Sequence, residues 1–368
     1  MALFGSCIVS VIIILSQRLH LKYSSRSSES YEIQRIHVNP TPRIGGIAVL
    51  MGCLLVWYMT DNLANEFLGL LIFSSLPVLV FGLLDDLHFN VPPIYRLLAA
   101  SMSSLIAIFF LETWLLKVDV IIFDQLFLYT PFAIFFTIFA TTGVSHAFNV
   151  IDGLHGLSLG VSLSVSFFLT VLAWLNSDVF VVMLSLVFFL SSLGLFLLNY
   201  PWGKIFLGDG GAYFQGHCLS WISIILLSRN PEITPWAIVL IFFWPVVETL
   251  YSIFTHFPGL KCVVPSNPYN AKGLMTAAIR DDDPVIVFNN RQLMGLRFED
   301  HVPSEQYTVE IGKSEIKQEG DDITLIGIGY TTRVCMEAAQ ELESQGISVE
   351  VLDLLSLSPM DNEAILGS

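Results

Sequence analysis

Phe81-Gly-Leu-Leu-Asp85-Asp86-Leu87 closes an apolar run that begins near Phe67 and is long enough to reach most of the way across a bilayer. A carboxylate left in hydrocarbon costs roughly 2.5–3.5 kcal/mol on insertion scales, so two at a helix end need compensation by a metal or a phosphate-bearing ligand at the membrane surface. The same arrangement recurs in Asn149-Val-Ile-Asp152-Gly153 and in Phe206-Leu-Gly208-Asp209-Gly-Gly211, each beside another apolar segment. Three such motifs predict one polar site on one face of a membrane protein.

Composition supports this for most of the chain. Hydrophobic residues make up 54% and charged residues 13%, values of a multi-spanning protein. The pattern breaks near Pro258, after which Asp, Glu, Lys and Arg become dense. The net charge of −15 therefore belongs mostly to the tail, where it argues only for solubility and says nothing about nucleic acid; no nucleic-acid partner is expected. We expect a membrane domain over 1–254 and a separate segment over 255–368. Cys7, Cys53, Cys218, Cys262 and Cys335 are scattered without a C-x-x-C pair, so neither disulfides nor a cysteine metal site is expected.

Apolar segments fall near Ala2–Leu15, Gly45–Thr60, Phe67–Leu84, Leu97–Leu111, Pro131–Phe148, Leu154–Leu175, Val179–Leu198, Gly211–Leu227 and Trp236–Phe254, predicting about nine transmembrane helices. The first lacks a basic stretch ahead of it and a clear cleavage site, and reads as a retained span. Arg18, Lys22, Arg26, Arg35 and Arg43 follow it, whereas Asp61–Glu66 has no basic residue, which puts the first loop in the cytoplasm. By parity the three acidic motifs and the tail lie there too.

Mg²⁺ prefers carboxylate oxygens and substrate phosphates, and Asp209 is the leading ligand candidate. Gly203-Lys-Ile-Phe-Leu-Gly208-Asp209-Gly-Gly211 offers glycines that let backbone N–H groups approach a phosphate, with Lys204 as a point charge; the plainer reading is a tight turn in which the Asp caps the next helix. Asp85 and Asp86 point about 100° apart on a helix, so one can face a metal and the other a proton or phosphate.

Together with Thr41-Pro-Arg43-Ile-Gly-Gly46, these motifs, including Asn149-x-x-Asp152-Gly153-Leu154-x-Gly156-Leu157, resemble the successive motifs of the polyprenyl-phosphate N-acetylhexosamine-1-phosphate transferases. The resemblance covers about 1–254 and is closest to enzymes that load UDP-N-acetylglucosamine onto undecaprenyl phosphate. It implies a multi-pass plasma-membrane (inner-membrane) enzyme of cell-surface polysaccharide synthesis, dependent on Mg²⁺ or alternatively Mn²⁺, that transfers sugar-1-phosphate from a UDP-amino sugar to a polyprenyl phosphate lipid and releases UMP. By the family pattern, Asp85 or Asp86 deprotonates or orients the lipid phosphate. Asn149 and Asp152 hold the nucleotide sugar or support the metal on Asp209, and Arg43, Lys204 and Gly208 contact phosphate. Two departures stand out. His155 replaces the Asp or Asn common in the family, and the family's histidine-bearing loop after the last of these helices is missing, His256 standing alone, so weak or absent activity is expected.

From about His256 onward, Phe257-Pro-Gly-Leu-Lys-Cys-Val-Val-Pro265-Ser-Asn-Pro-Tyr-Asn-Ala-Lys272 is similar to the beta subunit of thiamine-dependent 2-oxo acid dehydrogenases. Pro284–Phe288 and Asp322–Gly329 read as strands. Thr332–Gln345 reads as a helix with Val334, Ala338, Ala339 and Leu342 on one face and Gly346 as its stop, and Ile347–Leu352 as the next strand. That βαβ unit makes the tail a partial α/β, transketolase-like segment. The part of the family that activates thiamine diphosphate is missing, so no thiamine diphosphate is expected. The fold class expected is an all-α polytopic membrane protein followed by this partial α/β segment, joined near Tyr251–Phe257 by a frameshift, recombination or assembly event. A membrane-anchored scaffold that recruits dehydrogenase subunits and a transporter are the competing functions; helix-end rather than midplane carboxylates disfavour transport.

Overall fold

The computed structural model describes residues 1–24, 41–61, 63–153, 155–256, 259–298 and 302–368. Arg26, Arg35, Leu154, Phe257 and Pro258, and the side chains of Lys22 and His256, lie outside the described residues. The chain divides into two units, Met1–Thr249 and Leu250–Ser368.

Apolar runs in the first unit fold as helices because each helix satisfies its own backbone polar groups, as a lipid environment demands. They are α1 (Ala2–Leu15), α2 (Gln17–Ser24), α3 (Gly46–Met59), α4 (Leu63–Asp86), α5 (Pro93–Leu111), α6 (Ile121–Phe127), α7 (Thr130–Val150), α8 (Leu157–Leu175), α9 (Val179–Asn199), α10 (Gly208–Arg229), α11 (Pro235–Ile241) and α12 (Phe243–His256). The expectation of about nine spans is not supported. Among the described residues, five helices are long and apolar enough to cross a membrane, or six if the bent pair α11–α12 is one span. The differences have physical causes. With 14 residues each, α1 and α3 rise about 21 Å, short of a hydrocarbon core of about 30 Å. The ninth apolar segment breaks at Phe242 and turns through 74°.

Helix α10 departs for a different reason: it faces protein rather than lipid. Every residue from Gly208 to Leu226 is buried, and close helix approach there needs small residues more than apolar bulk. A Cβ on Gly82 of α4 would stand 2.6 Å from the Gly210 Cα, and one on Gly216 would stand 2.7 Å from Ser145 Cα of α7. Gly46 of α3 leaves as little room beside Gly211. Polar pairs add to this packing. Ser104 and Thr141 hydroxyls meet at 2.7 Å between α5 and α7, and Gln215 Nε2 donates to Ser192 Oγ at 3.2 Å between α10 and α9. Pro77 lies inside α4, and the next amide, Val78 N–H, donates instead to Ser103 Oγ of α5 at 3.1 Å.

The second unit contains β1 (Lys261–Val263), α13 (Pro268–Arg280), β2 (Val285–Val287), α14 (Arg291–Met294), β3 (Glu315–Gln318), β4 (Ile323–Gly327), α15 (Tyr330–Glu343), β5 (Val349–Asp353), β6 (Ser356–Ser358) and α16 (Asn362–Gly367). They form two three-stranded sheets, ordered β2-β1-β6 and β3-β5-β4. Strands β4 and β5 pair in parallel across α15, as the βαβ reading requires. Parallel β1 and β2 flank α13 in a second such unit; β2 falls within the Pro284–Phe288 strand read from the sequence, whereas the three-residue β1 was not read there. The apolar face of α15 is shifted from expectation: Val334 is 46% exposed, while Cys335, Met336, Ala339 and Leu342 pack with Val349 and Val351.

At the end of the bundle away from Asp85, Asp178 precedes α9 and ties it to the end of α10. Its Oδ2 accepts from Arg229 Nε at 2.8 Å and from Asn230 Nδ2 at 3.0 Å, and Oδ1 accepts from the Val181 amide at 3.3 Å. Burial raises the carboxyl, but these donors outweigh it and hold it below the ordinary carboxylate range. Its stabilisation is therefore full above the ordinary carboxylate range, shrinks as pH falls below that range and is gone once pH falls through the lowered folded value. Asp178→Ala should lower unfolding stability at pH 7 by about 1–2 kcal/mol. In detergent-solubilised protein, the gap from wild type should close below about pH 4.

Candidate active site

The end of α4 and the start of α10 bring the acidic motifs together. Asp86, in the last turn of α4, accepts from the backbone amides of Asp209 at 2.8 Å and Gly210 at 2.9 Å. These are amides that the first turn of a helix leaves without intrahelical partners, so Asp86 caps α10 from a neighbouring helix. Asp209 lies within that first turn and does not cap it. The motif glycines serve packing: a Cβ on Gly208, whose φ is +78°, would overlap the Arg43 carbonyl, and Gly210 and Gly211 sit against Gly82 and Gly46.

Two guanidinium groups face the carboxylates. Arg43 Nη2 lies 3.5 Å from Asp209 Oδ1, and Arg96 Nη1 lies 3.3 Å from Asp209 Oδ2 and 3.0 Å from Asp85 Oδ2. Asp85 Oδ1 accepts from the Val91 amide at 3.0 Å. Arg43 is placed by two short backbone pairings of its segment, Phe206 N–H to Pro42 O at 2.8 Å and Gly45 N–H to Phe206 O at 2.9 Å. Sequence reading missed Arg96. Its signal was a lone arginine early in α5, eleven residues past Asp85, with no motif around it.

Asp152, in the turn after α7, has a buried Oδ2 without a hydrogen-bond partner. Burial pushes this carboxyl up to about 8, against the opposing effect of Arg43 and with a further push from Asp209. Asn149 Oδ1 accepts from the Tyr213 hydroxyl at 3.2 Å. His155 stacks against Tyr200 with ring centroids 6.1 Å apart, and Asn199 holds the adjoining turn through Gly156 N–H at 2.6 Å. Lys204 is exposed and stands over the Trp202 ring at 5.6 Å. No group of three or more His, Cys, Asp or Glu set to hold a metal occurs among the described residues. Asp209 and the open Asp152 oxygen fit a hard cation that takes one or two protein carboxylates and completes its shell from water and substrate phosphate.

Residues 67–227 match the family described as Glycosyl transferase family 4. Residues 247–296 match the pyrimidine binding domain of transketolase, and residues 312–368 its C-terminal domain. In the acetoin:2,6-dichlorophenolindophenol oxidoreductase of Bacillus subtilis (strain 168), subunit beta is 50% identical over 121 residues, 33% of this chain and 35% of that protein. The B. subtilis 2-oxoisovalerate dehydrogenase subunit beta is 45% identical over 119 residues, 32% of this chain and 36% of that protein. The pyruvate dehydrogenase E1 component subunit beta of Staphylococcus aureus is 45% identical over 121 residues, 33% of this chain and 37% of its own length. The chain thus spans about a third of the length of the curated relatives it matches. A solved split-gene transketolase, an inactive beta4 tetramer, is 28% identical over 32% of this chain and 37% of that one, with a TM-score of 0.28. Two unrelated family resemblances therefore meet in one chain, one ending at residue 227 and the other beginning at 247.

A carboxyl raised to about 8 is protonated at neutral pH and gives up its proton when a cation takes its oxygen. Mg²⁺ titrated into the protein at pH 7 should release close to one proton, seen in calorimetry as heats that vary with buffer ionisation enthalpy. Affinity should rise with pH up to about 8 and then level off. Asp152→Asn should abolish both effects.

Proposed function

We propose that the membrane unit is a polyprenyl-phosphate sugar-1-phosphate transferase, acting on a UDP-amino sugar, UDP-N-acetylglucosamine foremost, and on undecaprenyl phosphate, with release of UMP. The observation that carries this reading is the pairing of Asp209 with two arginines beside an open, buried Asp152 oxygen at the joined ends of α4 and α10. Such a site suits two anionic phosphates brought close together, and the match of residues 67–227 to a glycosyltransferase family supports it.

The chemistry asked of the residues is mainly positioning and charge neutralisation, since an attacking phosphate oxygen and a leaving nucleotide are both negative. Arg43 and Arg96 present guanidinium forks suited to phosphate oxygens. Asp85 orients Arg96, Asp86 holds the Asp209 turn rigid, and Asn149 with Asp152 lies where the nucleotide sugar would be held. Mg²⁺ held by Asp209 and Asp152 would polarise the pyrophosphate and offset its charge. His155 and Gly208 shape the adjoining turns, and Lys204 supplies positive charge at the rim. In this reading the motifs face the cytoplasm across a plasma membrane. The histidine-bearing loop of the resembled family gives way here to dehydrogenase-like sequence, so turnover is expected to be lower than in an intact relative by a factor of about 10² or more, the scale of a misplaced substrate.

Asp209→Asn keeps the side-chain size and removes the charge. UMP release from UDP-N-acetylglucosamine in the presence of polyprenyl phosphate and Mg²⁺ should fall by orders of magnitude while membrane insertion stays intact. Undiminished release would overturn the metal assignment. Single cysteines placed next to Asp86, Asn149 and Asp209 should all be labelled from the cytoplasmic side alone; labelling of any one from outside would separate the motifs and end the proposal of a shared site.

A further inference from the structure

Every oxygen of Asp85 and Asp86 already has a partner, respectively the Val91 amide and Arg96, and the Asp209 and Gly210 amides. Both carboxylates are thus already committed to the protein's own donors. One turn ahead of Asn149, on α7, stands His146, whose proton can be placed from its neighbours. The Tyr213 hydroxyl has one proton and gives it to Asn149 Oδ1 at 3.2 Å, because an amide oxygen only accepts. Toward His146 Nδ1, 3.4 Å away, the same hydroxyl oxygen can then only accept, so Nδ1 carries the imidazole proton. Nε2 is left as a lone pair, buried and without a hydrogen-bond partner.

Arg96 Nε is also buried without a partner, and it is a donor. The Arg96 charge lies close enough to act on the His146 ring. Helices α5 and α7, which carry Arg96 and His146, pack against each other, so a buried donor and a buried acceptor are left open on neighbouring helices, and one group that both donates and accepts would meet both. An O–H group does this. A carboxylate or a fully ionised phosphate cannot donate.

We propose that His146 Nε2, held as the Nδ1–H tautomer by Tyr213, is a substrate-positioning acceptor for an O–H group shared with Arg96. That group is either the P–OH of a singly protonated acceptor phosphate or a hydroxyl of the sugar nucleotide. The proposal rests on the transferase reading and names the polar contact which that reading leaves unassigned.

Two measurements on the full chain in detergent test it. In ¹⁵N-histidine spectra, the signal removed by His146→Gln should report the Nδ1–H tautomer at neutral pH, and Tyr213→Phe should mix the tautomers. An Nε2–H signal would overturn the proposal. Affinities for UDP-N-acetylglucosamine and for polyprenyl phosphate should then be compared in wild type, His146→Gln and His146→Leu. Leu should weaken one ligand roughly tenfold, the scale of one hydrogen bond, while Gln, which keeps an acceptor, should stay near wild type. Weaker binding of the lipid phosphate identifies a P–OH, and weaker binding of the nucleotide identifies a sugar or ribose hydroxyl. Equal binding of both ligands by all three proteins, or equal losses in Gln and Leu, overturns the inference alone. If wild type binds neither ligand, the transferase reading fails and the inference with it.

Discussion

The Asp86 carboxylate, accepting the amides of Asp209 and Gly210, is the interaction on which the site depends. It fastens the end of α4 to the start of α10, the helix buried within the bundle. Because the capping group comes from another helix, the first turn of α10 cannot shift without losing two hydrogen bonds to otherwise unpartnered amides. Asp209 inherits that rigidity, and so do the positions at which Arg43 and Arg96 meet it.

Glycines make this approach possible. Gly82 against Gly210 and Gly46 against Gly211 bring backbones together where any side chain would hold the helices apart. The composition of α10 reflects the same constraint: a helix surrounded by protein gains from small residues and matched polar groups such as Gln215 with Ser192. Low hydropathy in this segment is thus a mark of its central place, although hydropathy alone gives no means of telling a central helix from a weak span.

The tail follows different physics. Its cores are small, one around Val263, Leu274 and Leu355 and another around Ala339, Val349 and Val351, and short parallel strands flank its helices. Alternating strand and helix patterns made β2, β4, α15 and β5 legible, whereas β1 needed the pairing itself to appear. The shifted face of α15 shows the limit of periodicity: Val334 and Cys335 are adjacent, and only the position of the sheet decides which is covered.

Sequence alone determined that the first two thirds are apolar helices, that acidic motifs sit at helix ends, and that the chain changes character before the tail, because hydropathy and charge are local properties. The grouping of Asp85, Asp86, Asp152 and Asp209 was inferable only as a parity argument over a helix count that the structure does not support. Tertiary structure decided what each carboxylate touches: Asp86 as a cap, Asp85 as the partner of Arg96, and Asp152 with an open oxygen. Arg96, His146 and Tyr213 entered the site in the same way, from helix positions that carry no motif. Which groups share a site depends on how helices pack, and packing is set by contacts between residues far apart in the chain, here 113 positions between Arg96 and Asp209.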